Sequence, residues 1–259
     1  MNNIYIFDVD GTLTPSRQPM TDEFREYFTQ WTKKNFFFLV SGSDIDKLRE
    51  QLSEEILGRA MGVFCCAGNK LYLNGELHSE NKFEPPEQLI EFLEHKLEVA
   101  QFLPRAGNHI ENRGAMLNFS VIGRDCNLNQ RQMYFDYDNK NGERIRIAKK
   151  IREMFPYLDA SIGGQISIDI YPKGNDKSQI LSVIEKILAG GMSGGWKAVT
   201  YTFIGDRMEE GGNDYPLAQL METRDDCRVF STEDDNDTWR ILANEDVDEF
   251  RKLYRGTTK

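Results

Sequence analysis

Residues 4–18 read IYIFDVDGTLTPSRQ, an apolar run followed directly by two aspartates that are one residue apart. Residues 4–7 are apolar throughout, which is typical of a strand covered on both faces. Because side chains alternate along a strand, Asp8 and Asp10 should share one side of its carboxyl end. Ligands bind at that edge of an open parallel sheet, and two neighbouring carboxylates repel each other unless a proton or a cation intervenes. The stretch therefore predicts a parallel α/β fold with a divalent cation at this edge.

A second Asp-Val-Asp, at residues 246–248, lacks the sequence context of the first. No apolar strand precedes it and no Gly-Thr follows it. Apolar residues follow at helical spacing, among them Phe250 and Leu253, so its two aspartates suit the amino end of a helix and its dipole. We interpret the second copy as surface.

Strands and helices alternate on both sides of a central insert. The predicted elements are a helix at 21–34 with Thr21 as its N-cap, a strand at 36–40, a helix at 43–52, a helix at 177–188 and strands at 201–205 and 227–230. This order indicates a parallel sheet with right-handed crossovers. The Gly-rich loop at 190–195 lacks a preceding strand and a Gly-Lys-Ser/Thr ending, so we interpret it as a turn.

The insert has a different pattern. Residues 116–123 (MLNFSVIG) and 164–171 (GQISIDIY) alternate polar and apolar residues, which predicts sheet strands with one covered face. Their apolar side would pack on helices, and their polar side would face the core domain. Helical patterns accompany them at 85–101 and 144–155.

These patterns predict two domains in one chain. The fold class is α/β, with a Rossmann-like parallel-sheet core at 1–81 and 175–259. An α+β cap, an antiparallel sheet plus helices, would be inserted at 82–174. We expect the cap to close over the core as a lid, with hinges near 81–84 and 172–175.

Composition narrows the class of protein. The 259 residues carry a net charge of −10 without a Lys/Arg block, which argues against a nucleic-acid partner. No apolar run approaches the roughly 20 residues of a membrane span, and no basic segment precedes the first apolar stretch as in a secretory signal. The four cysteines form no Cys-x-x-Cys pair, which argues against a zinc site or a disulfide framework. We expect a cytoplasmic protein without membrane or nucleic-acid partners.

Three further stretches place polar residues at strand ends or helix starts. Ser41 follows the strand FFFLV, Lys177 begins the helix of NDKSQIL, and Asp206 follows YTFIG in GDRMEEGGND. Together with Asp-x-Asp-Gly-Thr at 8–12, they resemble the four motifs of the haloacid dehalogenase superfamily of phosphoryl-transfer enzymes. Asp-x-Asp-Gly-Thr alone is moderately specific, and Ser41 or Lys177 taken singly would suit an ordinary cap or surface residue, so it is the agreement of all four in order that carries the resemblance.

The resemblance implies a role for each of these residues. Asp8 would be the nucleophile that carries the phosphoryl group as an aspartyl phosphate, and Asp10 the general acid/base. Ser41 would hold phosphate oxygens, and Lys177 would offset the crowded negative charge. The implied Mg²⁺ ligands are Asp8, Asp10 through its backbone carbonyl, and Asp206, with Asn213 and Asp214 as further members of the site.

Three arginines flank the first alternating strand of the insert, namely Arg113, Arg124 and Arg131. Guanidinium groups clamp phosphate bidentately, so this cluster suits a second phosphate that is remote from the reaction. The alternative is that exposed arginines only solvate a sheet edge.

The insert sharpens the resemblance to the eukaryotic-type phosphomannomutases within that superfamily. RGAMLNFSVIGR (113–124) and SIGGQISIDIYPKGNDK (161–177) are similar to the cap motifs of that family, and FDVDGTLTPSRQ (7–18) and GDRMEEGGNDY (205–215) to its core motifs. By that similarity the substrate-binding residues would be Arg17, Arg113, Asn118, Arg124, Arg131, Gly164, Gln165, Ser167 and Asp169. The three cap arginines would bind the distal phosphate.

The resemblance implies a phosphohexomutase that interconverts mannose 6-phosphate and mannose 1-phosphate, with a hexose 1,6-bisphosphate as intermediate and activator. A mutase must grip the phosphate that is not reacting, which the cap arginines favour. The alternatives are a Mg²⁺-dependent sugar-phosphate phosphatase and a non-catalytic phosphosugar-binding protein. Departures from the family pattern, such as Gly114-Ala115 and Val121, leave the choice between mannose and glucose open. A homodimer through the cap is implied by the resemblance alone.

Overall fold

Two separate sheets organise the chain in the computed structural model, which describes residues 2–190 and 199–244. The strands are β1 (Asn2–Phe7), β2 (Phe36–Val40), β3 (Gly62–Cys65), β4 (Lys70–Leu73), β5 (Glu76–Glu80), β6 (Ile110–Asn112), β7 (Leu117–Phe119), β8 (Leu158–Gly163), β9 (Ser167–Pro172), β10 (Val199–Gly205) and β11 (Cys227–Ser231). The helices are α1 (Asp22–Trp31), α2 (Ile45–Gln51), α3 (Glu54–Arg59), α4 (Glu87–Val99), α5 (Leu128–Asn141), α6 (Glu143–Met154), α7 (Gln179–Gly190) and α8 (Tyr215–Glu222), followed by α9 at 235–244.

The larger sheet has the strand order β11-β10-β1-β2-β3-β4-β5. Its first five strands are parallel, which confirms the predicted parallel sheet, although β3 was not among the predicted strands. Strands β4 and β5 add an antiparallel hairpin at the edge. The hairpin was not predicted because β5 is mostly polar and exposed. The sequence does contain a signal for this hairpin, the pair Asn74-Gly75. Both residues take positive φ in the tight turn between β4 and β5, as an Asn-Gly hairpin turn requires.

Strand β1 is apolar throughout because helices cover both faces of the larger sheet. Tyr5 and Phe7 pack in the cluster that contains the aromatic residues of α1, whereas Ile4 and Ile6 pack in the cluster that contains α7. Burying each such side chain stabilises the fold by about 1.5–3 kcal/mol, so the strand is held at the centre of the core. The covered strand predicted from residues 4–7 is confirmed.

The smaller sheet is antiparallel, with the order β6-β7-β9-β8, and lies between β5 and β10 in sequence. Its apolar face packs on α4, α5 and α6. The predicted core with an inserted antiparallel sheet plus helices is thereby confirmed, while the domain limits at 81/82 and 174/175 stay predictions. Helix α5 was not predicted because its sequence is polar, although the capping box of Asn127 and Gln130 marks its start.

The alternating segments of the insert differ from the prediction in three ways. Both faces of β7 and β9 are buried, whereas one covered face was predicted; the polar face is turned toward the core domain as predicted, since Asp169 lies against Gly42. Strand β7 ends at Phe119, since a turn closed by the Gly123 amide on the Ser120 carbonyl follows. Gly164 and Gln165 form a turn before β9, so Gln165 does not share the strand face of Ser167.

Smaller predictions have mixed outcomes. Thr21 does precede α1, but its hydroxyl lies 3.5 Å from Asp235 and does not cap the helix. The Gly-rich loop from residue 191 and the second Asp-Val-Asp fall outside the described residues. Over 2–190 and 199–244, no helix has the length and apolar character to cross a membrane.

Candidate active site

Loops that are far apart in sequence meet at one edge of the larger sheet. Asp8 follows β1, Ser41 follows β2 and Asp206 follows β10, and these three strands are neighbours in the order β10-β1-β2. Lys177 enters from the turn before α7. The convergence follows from the parallel sheet, because the carboxyl ends of adjacent strands open on the same crevice.

Lys177 lies at the centre of this edge and is completely buried. Its Nζ is 2.6 Å from Asp8 Oδ1 and 2.6 Å from Asp214 Oδ1. Burial opposes the charged form, but the carboxylates of Asp214 and Asp8 outweigh it and raise the pKa of the lysine. Lys177 is therefore a permanent cation between two buried acids.

Three carboxylates surround this lysine, and we call Asp8, Asp206 and Asp214 the acidic floor. One oxygen from each lies within 4.8 Å of the others. Burial raises the pKa of Asp8 to about 7 against the opposing charge of Lys177. Burial, and next the charge of Asp8, raise the pKa of Asp206. Lys177 and the partly exposed Arg207, whose Nε lies 3.6 Å from Asp206 Oδ2, are two cations against three acids, so ionising all three leaves an excess of negative charge that a further cation would compensate.

The floor fits a hard divalent cation. Carboxylate oxygens are the ligands that Mg²⁺ prefers, and Asp206 is partly exposed to the cleft. Asp214 already has two hydrogen-bond donors, because it accepts from Lys177 and also from the Arg207 amide at 3.0 Å. A Cβ atom at Gly11, where φ is +87°, would lie 2.5 Å from Asp206 Oδ2, so only glycine lets the first loop approach this carboxylate so closely.

Asp10 lies beside the floor and is held by several donors. Its Oδ1 accepts hydrogen bonds from the backbone amide of Arg17 at 2.9 Å and from Gln51 Nε2 at 3.0 Å. Ser43 Oγ lies 3.4 Å from Oδ2. The carboxylate therefore contacts both its own loop and the segment that follows β2.

The loop after β2 provides a turn of small residues. Ser41 is buried, and its Oγ accepts the Ser43 amide at 2.9 Å. A Cβ atom at Gly42 would lie 2.6 Å from Asp169 Oδ2 of the cap, so the side chain's absence permits this contact. Arg113 Nη1 donates to the Gly42 carbonyl at 2.5 Å. The cap thus reaches the loop directly.

The cap places three arginines opposite the floor, and we call Arg113, Arg124 and Arg131 the arginine roof. All three are largely buried and line the cleft, so the alternative of arginines that solvate a sheet edge is wrong. Burial, then the charges of Arg113 and Arg17, lower the pKa of Arg124 to about 9. Burial and Arg17 also lower the pKa of Arg131. Positive charges in the roof therefore repel each other, and a bound anion would compensate this repulsion.

The polar face of the cap sheet joins the roof through paired side chains. Asn118 Nδ2 donates to Asp169 Oδ1 at 2.7 Å, and Arg124 Nη1 donates to Ser167 Oγ at 2.6 Å. Burial raises the pKa of Asp169, although Arg113 opposes the shift. These pairs hold polar groups at the positions where the sequence predicts sugar contacts.

One cleft brings nearly all the predicted site residues together. The predicted residues that line it are Asp8, Asp10, Arg17, Ser41, Arg113, Asn118, Arg124, Arg131, Gly164, Gln165, Ser167, Asp169, Asp206 and Asn213. Lys177 and Asp214 do not line the cleft themselves but are hydrogen-bonded to each other, and Lys177 also to Asp8, behind its lining. Their proposed roles stay predictions.

A family model for eukaryotic phosphomannomutase matches residues 24–245 of the chain. The chain belongs to the eukaryotic phosphomannomutase family. It is 34% identical over 228 residues to a phosphomannomutase of Dendrobium officinale, covering 85% of this chain and 86% of that one. It is also 34% identical over 245 residues to a phosphomannomutase of Encephalitozoon cuniculi, covering 92% and 91%. The family resemblance found in the sequence is confirmed.

Solved structures support the fold of this phosphomannomutase-family chain. The C-terminal domain of trehalose-6-phosphate phosphatase from C. albicans superposes with a TM-score of 0.61 at 17% identity, over 86% of this chain and 74% of that one. A haloacid dehalogenase-like hydrolase from Bacteroides thetaiotaomicron gives a TM-score of 0.55 at 13% identity, over 94% and 99%. At these identities the likeness shows a shared fold.

The patterns missed several residues of this phosphomannomutase-family cleft. Ser16, Gly42, Ser43 and Gly163 also line it. Each lies within two residues of a predicted residue, which is the signal that would have found them. Arg207 was missed as well, and its Nη2 donates to the Gly164 carbonyl of the cap at 3.0 Å.

The loop after β10 is bonded to the cap through the backbone. The amide of Ile162, in β8, donates to the Gly211 carbonyl at 2.8 Å, and the Asn213 amide donates to the Ile162 carbonyl at 3.2 Å. The segment that carries Asn213 and Asp214 is thus tied directly to the domain that carries the roof.

Proposed function

We propose that this chain is a phosphomannomutase that interconverts mannose 6-phosphate and mannose 1-phosphate. The observation that carries the proposal is the arginine roof, which lines the same cleft as the acidic floor. One cleft then offers a reactive phosphate position at the floor and a holding position at the roof. Membership of the eukaryotic phosphomannomutase family supports the same activity.

Asp8 is the nucleophile in this proposal. Its carboxylate attacks phosphorus, and the bond between phosphorus and the sugar oxygen breaks to leave an aspartyl phosphate. Lys177, 2.6 Å from Oδ1, holds the carboxylate in place and offsets the charge of the incoming phosphate. Phosphoryl transfer depends mostly on such positioning and charge neutralisation.

The residues present also fit a bound Mg²⁺. When bound, this ion supplies positive charge that stabilises the transferring phosphoryl group. The residues that would hold it are Asp8, the backbone carbonyl of Asp10, Asp206, Asn213 and Asp214. The buried acids of the floor then ionise without an uncompensated charge.

Asp10 moves the proton. It protonates the sugar oxygen as that oxygen leaves phosphorus, and in the return step it takes the proton of the incoming hydroxyl. The arginine roof meanwhile holds the phosphate that is not reacting, while Ser167 and Asp169 contact the sugar. A hexose 1,6-bisphosphate that reorients between the steps connects the two monophosphates and serves as activator.

The test is conversion of mannose 1-phosphate by the purified protein with Mg²⁺ and a hexose 1,6-bisphosphate, followed by ³¹P NMR. We expect mannose 6-phosphate, and a parallel assay with glucose 1-phosphate ranks the two sugars. Free phosphate that accumulates faster than the isomer would favour a phosphatase. No turnover of any sugar phosphate would favour a binding protein.

Replacing the nucleophile gives the sharpest check of the chemistry. We expect Asp8→Asn to abolish both isomerisation and phosphate release, because an amide cannot form the aspartyl phosphate. The matched control is Asp246→Asn in the second Asp-Val-Asp, which should leave the rate unchanged. A fully active Asp8→Asn variant would contradict the mechanism.

A homodimer through the cap is part of the proposal. Among the described residues, most large apolar side chains that remain exposed belong to the predicted cap: Val99, Leu103, Leu128, Met133, Ile145, Met154 and Tyr157. A dimer contact would bury such side chains, since association sites are typically apolar patches. Sedimentation of the protein and of Ile145→Glu tests it, and a monomeric wild type would contradict it. The cytoplasmic location stays a prediction from composition.

A further inference from the structure

Gln51, the last residue of α2, contacts the carboxylate of Asp10 from inside the protein. The side chain is buried, and its Nε2 donates to Asp10 Oδ1 at 3.0 Å and to Thr14 Oγ1 at 3.0 Å. The other contacts of Asp10 come from the Arg17 amide and from Ser43 at the longer distance of 3.4 Å. Gln51 therefore provides the close side-chain donor to this carboxylate.

The orientation of the Gln51 amide follows from its neighbours. The Thr14 hydroxyl donates to the Val9 carbonyl at 3.3 Å, so toward Gln51 it acts as an acceptor. The Asp10 carboxylate is an acceptor too, and two acceptors require the NH₂ end of the amide. Gln51 Oε1 is then left buried without a hydrogen-bond partner in the described part of the chain. Such an oxygen destabilises the fold, so satisfaction of its own polar groups does not account for this amide.

We propose that Gln51 is a positioning residue that holds the Asp10 carboxyl group in line with the sugar oxygen, an inference that rests on the proposed function. In the first transfer, an Asp8 oxygen bonds to phosphorus, the phosphorus–sugar oxygen bond breaks, and that oxygen takes the Asp10 proton. In the return transfer, the hydroxyl gives its proton to Asp10 and bonds to phosphorus as the bond to Asp8 breaks. Both proton movements require the same carboxyl orientation, because proton transfer needs hydrogen-bond reach.

The backbone of Gln51 has a separate, structural contact. Its carbonyl accepts the Met20 amide at 3.0 Å, and this bond does not depend on the side chain. Side-chain variants therefore test the amide alone. Gln51→Met keeps the length of the side chain without a donor, and Gln51→Glu keeps its shape and polarity but, when ionised, has no donor.

The experiment compares two phosphoryl donors with Mg²⁺ present. The hexose 1,6-bisphosphate of the mutase reaction needs a proton on its leaving sugar oxygen, whereas acetyl phosphate releases acetate, a weak base that leaves without one. For both variants we expect kcat with mannose 1-phosphate to fall by about 10-fold or more, a share of the roughly 10²–10⁴-fold from a positioned acid. We expect KM, and the rate of ³²P labelling of Asp8 from acetyl phosphate, to stay within about twofold, because neither measures proton delivery.

Gln30→Met, an exposed substitution of the same type on α1, is the matched control and should behave as wild type. Equal losses with both phosphoryl donors would overturn the proposal in favour of a general structural role. Full mutase activity of either variant would overturn it as well. A wild-type protein that labels Asp8 but forms no isomer would instead refute the proposed function, and the inference with it.

Discussion

The acidic floor and the arginine roof are both buried clusters of like charge, yet they differ in how their charge is compensated. In the floor, three carboxylates lie around one fully buried cation, Lys177, and Arg207 Nε lies 3.6 Å from Asp206 Oδ2. In the roof, Glu111 Oε2 lies 2.5 Å from Arg113 Nη2 and 3.7 Å from Arg124 Nε, and the charge of Asp169 also raises the pKa of Arg113. When all these groups are ionised, the floor keeps an excess of negative charge and the roof an excess of positive charge.

The difference indicates which ligand completes each cluster. An excess of negative charge on oxygen ligands suits Mg²⁺, and an excess of positive charge on guanidinium groups suits a phosphate, which carries close to two negative charges. The floor is built from the ends of strands in the rigid parallel sheet, whereas the roof belongs to the inserted cap. Catalysis by this layout requires that both clusters be filled at once, with the cap over the core.

The largest expected effect comes from removing the cation of the floor. Lys177→Met leaves the Asp8 and Asp214 carboxylates buried without their partner. We expect the free energy of unfolding of the metal-free protein to fall by about 3–5 kcal/mol, as for other broken buried ion pairs. Mutase activity should be lost. Urea unfolding measures the change, with Lys186→Met on the exposed side of α7 as the matched control. An unchanged midpoint would contradict this account of the floor.

Replacing Arg113 and replacing Arg124 should change the thermal stability of the protein in opposite directions. Burial opposes the charge of Arg113, but Asp169 and Glu111 outweigh it and raise its pKa. The pKa of Arg124 is lowered. In the ligand-free protein, Arg113→Met should therefore lower the melting temperature and Arg124→Met should raise it. Both should raise KM for the sugar phosphate by about 10- to 100-fold, the worth of a charged hydrogen bond.

Thermal unfolding without substrate, followed by steady-state kinetics, measures both properties of the pair. Arg152→Met, in the cap but away from the cleft lining, is a control for the kinetic effect. Stability changes of the same sign in Arg113→Met and Arg124→Met would contradict the assignment of a compensated and an uncompensated arginine.

The floor also predicts a pH dependence that the roof does not share. Burial raises the pKa of Asp8 to about 7 from its ordinary 3.8, so the folded protein binds this proton more tightly than the unfolded chain. The free energy of unfolding without metal should fall as the pH rises from about 4 to about 7, and Asp8 contributes at most about 1.4 kcal/mol per pH unit to this fall. Above about pH 7 the contribution of Asp8 should level off. Because Mg²⁺ competes with the proton, its stabilisation should grow over the same range.

Urea unfolding between pH 5 and pH 8, in EDTA and in Mg²⁺, measures this dependence. Asp8→Asn should reduce the slope in EDTA, because the amide does not titrate, while the slope that the raised pKa of Asp206 contributes should remain. Stability in EDTA that rises with pH across this window would refute the raised pKa.

The smallest effect is expected at Arg207, which connects the loop after β10 to the cap. Arg207 donates to the Gly164 carbonyl and lies over the Phe135 ring at 5.5 Å, two contacts that a lysine does not reproduce together. Arg207→Lys should raise KM by about 2- to 10-fold, the worth of one hydrogen bond, with little change in kcat. Arg240→Lys, on an exposed position of α9, is the control. A fall in kcat without a change in KM would place Arg207 in the chemistry instead.

Elements with a strong apolar signal were predicted well, and weakly patterned ones were not. Strands β1, β2 and β10 and the helices α1 and α7 follow from their apolar patterns, whereas β3, a buried parallel strand of only four residues, was missed. The hairpin of β4 and β5 and the helix α5 were missed because their residues are largely polar, and only an Asn-Gly turn and a capping box mark them. The alternating strands were assigned one covered face, since a polar face that is buried against another domain has the same pattern as one in water.

Which residues belong to the site could largely be predicted from the sequence alone. Asp8, Ser41 and Asp206 each end a strand, and parallel strands bring their ends to one edge whatever the details of packing. The contacts between these side chains could not be predicted in this way. Lys177 bridges Asp8 and Asp214, Gln51 reaches Asp10, and the roof is buried instead of solvated. Those contacts, and the pKa shifts they cause, depend on distances and burial between remote segments, which only the folded chain defines.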